Sequence, residues 1–220
     1  MTGKEDIIKE FVGRWEKSFR PPRPYGGKNG KKWLISGVWS SYMAWWLYEY
    51  FGVVLEIGIT DRGNTQRKLD AGIWLKKEDA RPFAEGGARV QLKKESPERM
   101  MDLALEWEWN VVRKGKKRFC KKGGDFQKIL SVPARAGLAI IQTKKEKNPE
   151  KIIEDIEKFY KSNKEDNRSV GIIEIRRTIS SRDECEFKCF FHDLVKNSVK
   201  PRPIETAAPL SYPRGQQDAY

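Results

Sequence analysis

In the stretch DLALEWEWN, Asp102 to Asn110, acids stand at positions 102, 106 and 108 with Ala104 among them, while Leu103, Leu105, Trp107 and Trp109 fill the alternate places. Successive side chains of a strand point to opposite faces, so the pattern predicts a strand with one face turned to the core and one acidic face. Asp70 interrupts a similar apolar run, KLDAGIWL, and Glu56 interrupts VVLEIGI. This allows Asp70, Glu106 and Glu108 to converge on one spot of a sheet. Carboxylates gathered beside a low-dielectric core repel one another and raise one another's pKa unless a cation compensates. Mg²⁺ is such a cation, taking one or two carboxylates, keeping several waters and accepting phosphate oxygens as further ligands. So held, it can generate hydroxide from water and stabilise charge on a phosphate under attack. The chemistry to expect is metal-assisted phosphodiester hydrolysis, with Mg²⁺ or Mn²⁺ as cofactor. A half-exposed edge strand produces the same alternation, so the acids carry this reading only as a set of three.

The remaining composition suits a polyanionic substrate. Among 220 residues, 44 are Lys or Arg against 31 Asp or Glu, a net charge of +13, and a field of that size draws nucleic acid to the surface. Two basic segments stand out. RPPRPYGGKNGKK carries Arg20, Arg23, Lys28, Lys31 and Lys32, and RKGKKRFCKK carries Arg113, Lys116, Lys117, Lys121 and Lys122. Both read as loops from which cations reach phosphates; an ordinary solvated charge run is the alternative. The N-terminus has no apolar h-region, and the longest apolar stretch contains Glu49, Gly52 and Glu56, which argues against a membrane span. A cytoplasmic protein is expected. Three cysteines suit reduced thiols better than a disulfide framework.

Elements that would position the acids follow from periodicity. Apolar residues at helical spacing predict a helix over 5–19, and VWSSYMAWWLYEYF (38–51) reads as a buried helix ended by Gly52. Residues 53–59 and 68–75 read as a strand hairpin across the turn DRGNTQR. An irregular insertion precedes the acidic third strand. DFQKILSV (125–132) reads as a short helix with Asp125 as N-cap, 136–143 as a buried strand, and 148–162 as an amphipathic helix opened by Pro149. Strands are predicted over 169–177 and 185–191. The result is an α/β (α+β) fold, a mixed sheet flanked by helices. An N-terminal helix and basic arm (1–37) precede a core domain (38–200), and a Pro-rich tail (201–220) reads as flexible.

An Asp70 on the second strand of a hairpin, an insertion, Glu106-x-Glu108 on the third strand, then helix, strand, helix, strand, resembles the PD-(D/E)XK, or restriction-endonuclease-like, nuclease superfamily. The resemblance covers roughly residues 38 to 177. It implies a restriction-endonuclease-like core in which Asp70, Glu106 and the backbone carbonyl of Trp107 bind the metal. Most of the family has Lys where this chain has Glu108, as some type II restriction enzymes also have Glu there. Elsewhere in the superfamily the Lys moves to the following helix, where Lys128 stands. Glu108 as water-orienting base and Lys128 as charge stabiliser are both open; strand geometry, which fixes side-chain direction, ranks Glu108 first. An extra acid from an early element joins the site in part of the family. Glu56 is the candidate, with Glu49 behind it, although pairing of Glu56 with an Arg or Lys at the sheet edge is the plainer expectation.

Two other constellations are weaker. Cys185 and Cys189 on a strand would lie about 13 Å apart at 3.3 Å per residue, too far to share a zinc ion with His192 and Cys120. With His192 the sole histidine, a two-histidine phosphodiesterase mechanism is excluded. The composite expectation is a metal-dependent endonuclease on double-stranded DNA of type II restriction kind, a homodimer since one site cuts one strand. A DNA-repair or junction-resolving nuclease of the same fold, or a non-catalytic nucleic-acid-binding protein, is the alternative.

Overall fold

A computed structural model describes residues 6–20, 36–60, 66–84, 101–109, 119–120, 124–132, 134–144, 148–163, 168–179, 185–195 and 201–205. Helices α1 (Asp6–Ser18) and α2 (Ser36–Tyr50) lead into strands β1 (Gly52–Thr60) and β2 (Gln66–Trp74). Helix α3 (Lys77–Ala84), strand β3 (Met101–Glu108), helix α4 (Asp125–Ser131) and strand β4 (Ala134–Lys144) follow. Helix α5 (Pro149–Asn163) then precedes β5 (Ser169–Ile179), β6 (Cys185–Asp193) and β7 (Arg202–Ile204). The seven strands lie in chain order in one sheet. β1, β2 and β3 are antiparallel neighbours, β3, β4 and β5 run parallel, and β6 and β7 return antiparallel. The expected mixed sheet flanked by helices is therefore what forms.

Each face of the sheet carries its own core. On one face α1 and α2 bring Phe11, Trp15, Trp39 and Trp46 against Leu103, Leu105, Leu138, Ile173 and Ile175. On the other, α4 and α5 bring Phe126, Ile129, Ile152 and Ile156 against Ala104, Ala139, Ile141 and Ile172. Burial on both faces explains why β4 reads as an unbroken apolar run, as parallel strands do. α1 buries Ile7, Ile8, Phe11, Val12 and Trp15, one stripe at helical spacing, so it belongs to the same core as the sheet. α5 begins as its sequence predicts: the Asn148 side chain accepts the Lys151 N–H at 3.1 Å, and Pro149 takes the first helical position. In α4 a Cβ on Gly137 of β4 would sit 2.0 Å from Ile129 Cγ2. Only glycine lets the helix lie this close to the strand, and that closeness sets where Lys128 points.

The acidic face of β3 lies beneath α4 and α5, and Glu106 is 1% exposed, which goes against the half-exposed edge-strand alternative. Three expectations need correction. Gly124 rather than Asp125 caps α4, without a side-chain bond, and Asp125 stands in the first turn instead. α2 is not buried all round, since Trp45 and Tyr48 are more than half exposed. The tail begins with a strand: β7 pairs with β6 and buries Ile204. Pro203 is tolerated because an edge strand has no second neighbour needing its N–H. Arg202 also reaches Glu16 of α1 at 2.9 Å. Residues 206–220 lie outside the described residues.

Candidate active site

Asp70 and Glu106 meet where the β2–β3 ladder stops. Backbone pairing runs from Ile73↔Leu103 to Ala71↔Leu105, and the next two residues bring carboxylates in place of ladder bonds. The Trp107 N–H donates to Asp70 Oδ2 at 2.8 Å, and the Asp70 N–H donates to Glu106 Oε1 at 3.3 Å. Each acid is thus fastened by a peptide of the opposite strand, which fixes both orientations. From α4, Lys128 Nζ comes to 3.2 Å from Glu106 Oε1 and 2.7 Å from Asp125 Oδ1. The result is a largely buried arrangement in which Asp70 and Glu106 meet and Lys128 links Glu106 to Asp125.

Burial dominates the electrostatics. It raises the Asp70 carboxyl above the ordinary carboxylate range, with the Trp107 N–H, Glu106 and Lys128 working against it. Burial and then the Asp70 charge push Glu106 up to about 10, against the pull of Lys128. Lys128 is lowered by burial, yet Glu106 and Asp125 outweigh that and leave it above its usual value. Burial and the Asp70 charge thus favour the neutral form of Glu106, while Lys128 favours the ionised one. Two carboxyls so close in an apolar setting cannot both ionise unless a cation takes the proton's place.

The other predicted residues fall as follows. Glu108 lies at the end of β3, opposite Ile141 of β4 and partly buried. Among the described residues no three His, Cys, Asp or Glu side chains gather as a metal-holding group, so the expected convergence is a pair without Glu108. The reason is register: Asp70 stands across from Glu106, and Glu108 is one pleat further, about 6.6 Å along the strand. Trp107 contributes its N–H to Asp70 and packs against the first core. Glu56 pairs with Lys68 at 3.0 Å, both exposed, and its φ of 50° turns it from the β1–β2 ladder across from Asp70. Arg20 caps the end of α1, donating to the Phe19 carbonyl at 2.8 Å, and its N–H is bonded to Tyr42. Arg23, Lys28, Lys31, Lys32, Arg113, Lys116, Lys117, Lys121 and Lys122 lie outside the described residues.

Two features escaped the sequence reading. Asp125 had a signal, standing three residues before Lys128 on the same helix, a spacing at which side chains meet. The second is a buried polar network on β4, β5 and β6. Glu174, fully buried, accepts Thr143 Oγ1 at 2.6 Å and Arg176 Nε at 2.9 Å, and lies 3.0 Å from His192 Nε2. Arg176 also reaches Glu150 of α5 at 2.7 Å. His192 is thereby engaged by Glu174, and neither Cys120 nor Cys189 is in a disulfide.

Glu174 carries a measurable consequence. Burial alone would raise its pKa, but bonds from His192, Arg176 and Thr143 hold it down to about 2, against an ordinary 4.5. A depressed carboxylate stabilises the fold above its unfolded value, and that contribution is lost as the pH falls from about 4.5 through about 2. The difference corresponds to roughly 3 kcal/mol. Urea denaturation of the parent should show stability falling over that window, and Glu174→Gln should flatten it and lower stability at pH 7. A variant as stable as the parent at pH 7 would contradict this account.

Comparison of the chain with protein-family models, with curated proteins and with solved structures found no match.

Proposed function

We propose that the protein is a metal-dependent nuclease that hydrolyses phosphodiester bonds of double-stranded DNA, an endonuclease of type II restriction kind acting as a homodimer. The observation that carries the reading is the buried Asp70–Glu106 pair, fastened by opposing peptides at the end of the β2–β3 ladder with Lys128 against it. The arrangement α2-β1-β2-α3-β3-α4-β4, with β1, β2 and β3 antiparallel neighbours and α4 crossing over to a parallel β4, supports a restriction-endonuclease-like core.

The donor set fits Mg²⁺ or Mn²⁺. Two carboxylates are what Mg²⁺ usually takes from protein, with waters and substrate oxygens completing its shell, and Asp70 and Glu106 supply them. Bound there, the metal would polarise a phosphate oxygen and lower the pKa of a bound water. Asp70 is held for this role by the Trp107 N–H, and a cation bound at the pair would favour the ionised form of Glu106. Lys128 keeps Asp125 as partner and adds positive charge where a phosphate would gain negative charge. A single observation favours a non-cleaving nucleic-acid-binding protein: Lys128 already stands against Glu106 and Asp125 as an internal counter-charge. Incubation with supercoiled plasmid in Mg²⁺ or EDTA separates the two, since only the nuclease nicks or linearises DNA in Mg²⁺. Branched and linear duplexes offered together distinguish a junction-resolving relative from a restriction-type enzyme.

Substrate binding is assigned to the basic segments. Replacing Lys116, Lys117, Lys121 and Lys122 by Ala should reduce the slope of log affinity against log salt by about 0.9 per lost phosphate contact. Fluorescence anisotropy across a salt series measures it, and an unchanged slope would make that run an ordinary solvated surface.

A further inference from the structure

Arg177 is the one arginine of β5 that the fold leaves without a counter-charge. It is 8% exposed, and its Nε has no hydrogen-bond partner; no ion pair reaches it among the described residues. Its neighbour Arg176, pointing to the opposite face, has Glu174 at 2.9 Å and Glu150 at 2.7 Å. Arg168 spends its guanidinium on the Val132 and Ile129 carbonyls. A guanidinium keeps its charge at any ordinary pH, so burying one unpaired is costly. On the same face and one pleat nearer the sheet centre, Gln142 is 3% exposed, and its Nε2 also lacks a partner. Register puts the two together: Gln142 is across from Ile175, and Arg177 is across from Lys144 on one side and Phe187 on the other. Two buried donor groups without acceptors and a lysine beside them thus stand where β4 ends at Lys144.

We propose that Arg177 and Gln142, with Lys144 at the rim, form a binding site for a phosphate oxyanion, separate from the carboxylate pair and on the other face of the sheet. Donors without acceptors call for a ligand that only accepts, and the planar fork of an arginine matches two oxygens of a phosphate. The position suits such a ligand, because open sheets with parallel strands take ligands beyond the carboxyl ends of those strands. A net charge of +13 makes phosphate the anion the whole molecule attracts. The inference stands whether or not the nuclease reading holds.

The test is thermal unfolding of the full chain in rising inorganic phosphate, with NaCl at equal ionic strength as control. The parent midpoint should rise with phosphate beyond the NaCl control, the rise should shrink by at least half in Gln142→Leu, and it should vanish in Arg177→Met. Without phosphate, Arg177→Met should unfold no earlier than the parent, since methionine replaces a charge that has no partner. An Arg177→Met variant that unfolds much earlier or fails to fold would overturn the proposal by revealing an internal partner. So would a phosphate effect unchanged in Gln142→Leu. DNA affinity across a salt series then identifies the source of the phosphate. A slope lower by about 0.9 in Arg177→Met assigns a nucleic-acid backbone contact, and an unchanged slope with the phosphate effect lost assigns a small phosphate ligand.

Discussion

On the proposed function, Mg²⁺-dependent cleavage of plasmid DNA should fall on the order of 10³-fold in Asp70→Asn and likewise in Glu106→Gln, because each would remove one of the two carboxylates offered to the metal. Metal stabilisation of a phosphoryl transition state is worth several kcal/mol, and at about 1.4 kcal/mol per tenfold that gives the stated loss. Glu106→Gln discriminates best. Burial and the Asp70 charge favour the neutral form of Glu106, and glutamine is the neutral isostere of that form, so the variant should be about as stable as the parent. Asp70→Asn keeps an oxygen for the Trp107 N–H and should also fold. DNA binding, read by anisotropy in EDTA, should be unchanged in Glu106→Gln, which replaces one neutral group by another, and unchanged or tighter in Asp70→Asn, which removes a carboxyl that can repel phosphate. Full cleavage activity in either variant would leave the pair as a device that satisfies peptides at the end of a ladder, and the nuclease reading would fail with it.

How much of this the sequence disclosed depends on the range of the contact involved. Strand alternation in β3 is local, so the placing of Asp102, Glu106 and Glu108 on one side could be read directly, as could the helix at Pro149 and the buried β4. What covers that side could not. α4 and α5 arrive from later in the chain, and they bury the row so that Glu106 is 1% exposed. Convergence of Asp70 with Glu106 was legible because a hairpin and a following strand bring such positions near one another. Exclusion of Glu108 was not, since it turns on a register of one pleat that no pattern in β3 encodes. The Glu174 network needs residues from three strands, each an isolated polar residue in its own apolar run. Only the finished register of β4, β5 and β6 puts Thr143, Arg176 and His192 around one carboxylate. β7 was hidden by its prolines, which mark loops in most contexts and edge strands in a few.

If the proposed function holds, geometry favours Lys128 over Glu108 as the residue that assists the carboxylate pair. Lys128 touches Glu106 and is steadied by Asp125, while Gly137 lets α4 lie close enough to the sheet to hold it there. Glu108 lies a pleat beyond the pair. Lys128→Met keeps the apolar stem and removes the charge, and cleavage should drop about 10²- to 10³-fold, the usual cost of losing one preorganised charge stabiliser. Lys128→Arg, which keeps the charge on a longer and planar head, should recover part of that loss. Glu108→Gln should cost less than about tenfold, whereas a working general base would cost about 10²- to 10⁴-fold. Single-turnover rates at saturating enzyme isolate the chemical step from DNA binding and product release. A greater loss in Glu108→Gln than in Lys128→Met would return the role to the strand. Lys128 would then be what its distances also permit, an internal counter-charge that balances a buried acid and takes no part in cleavage.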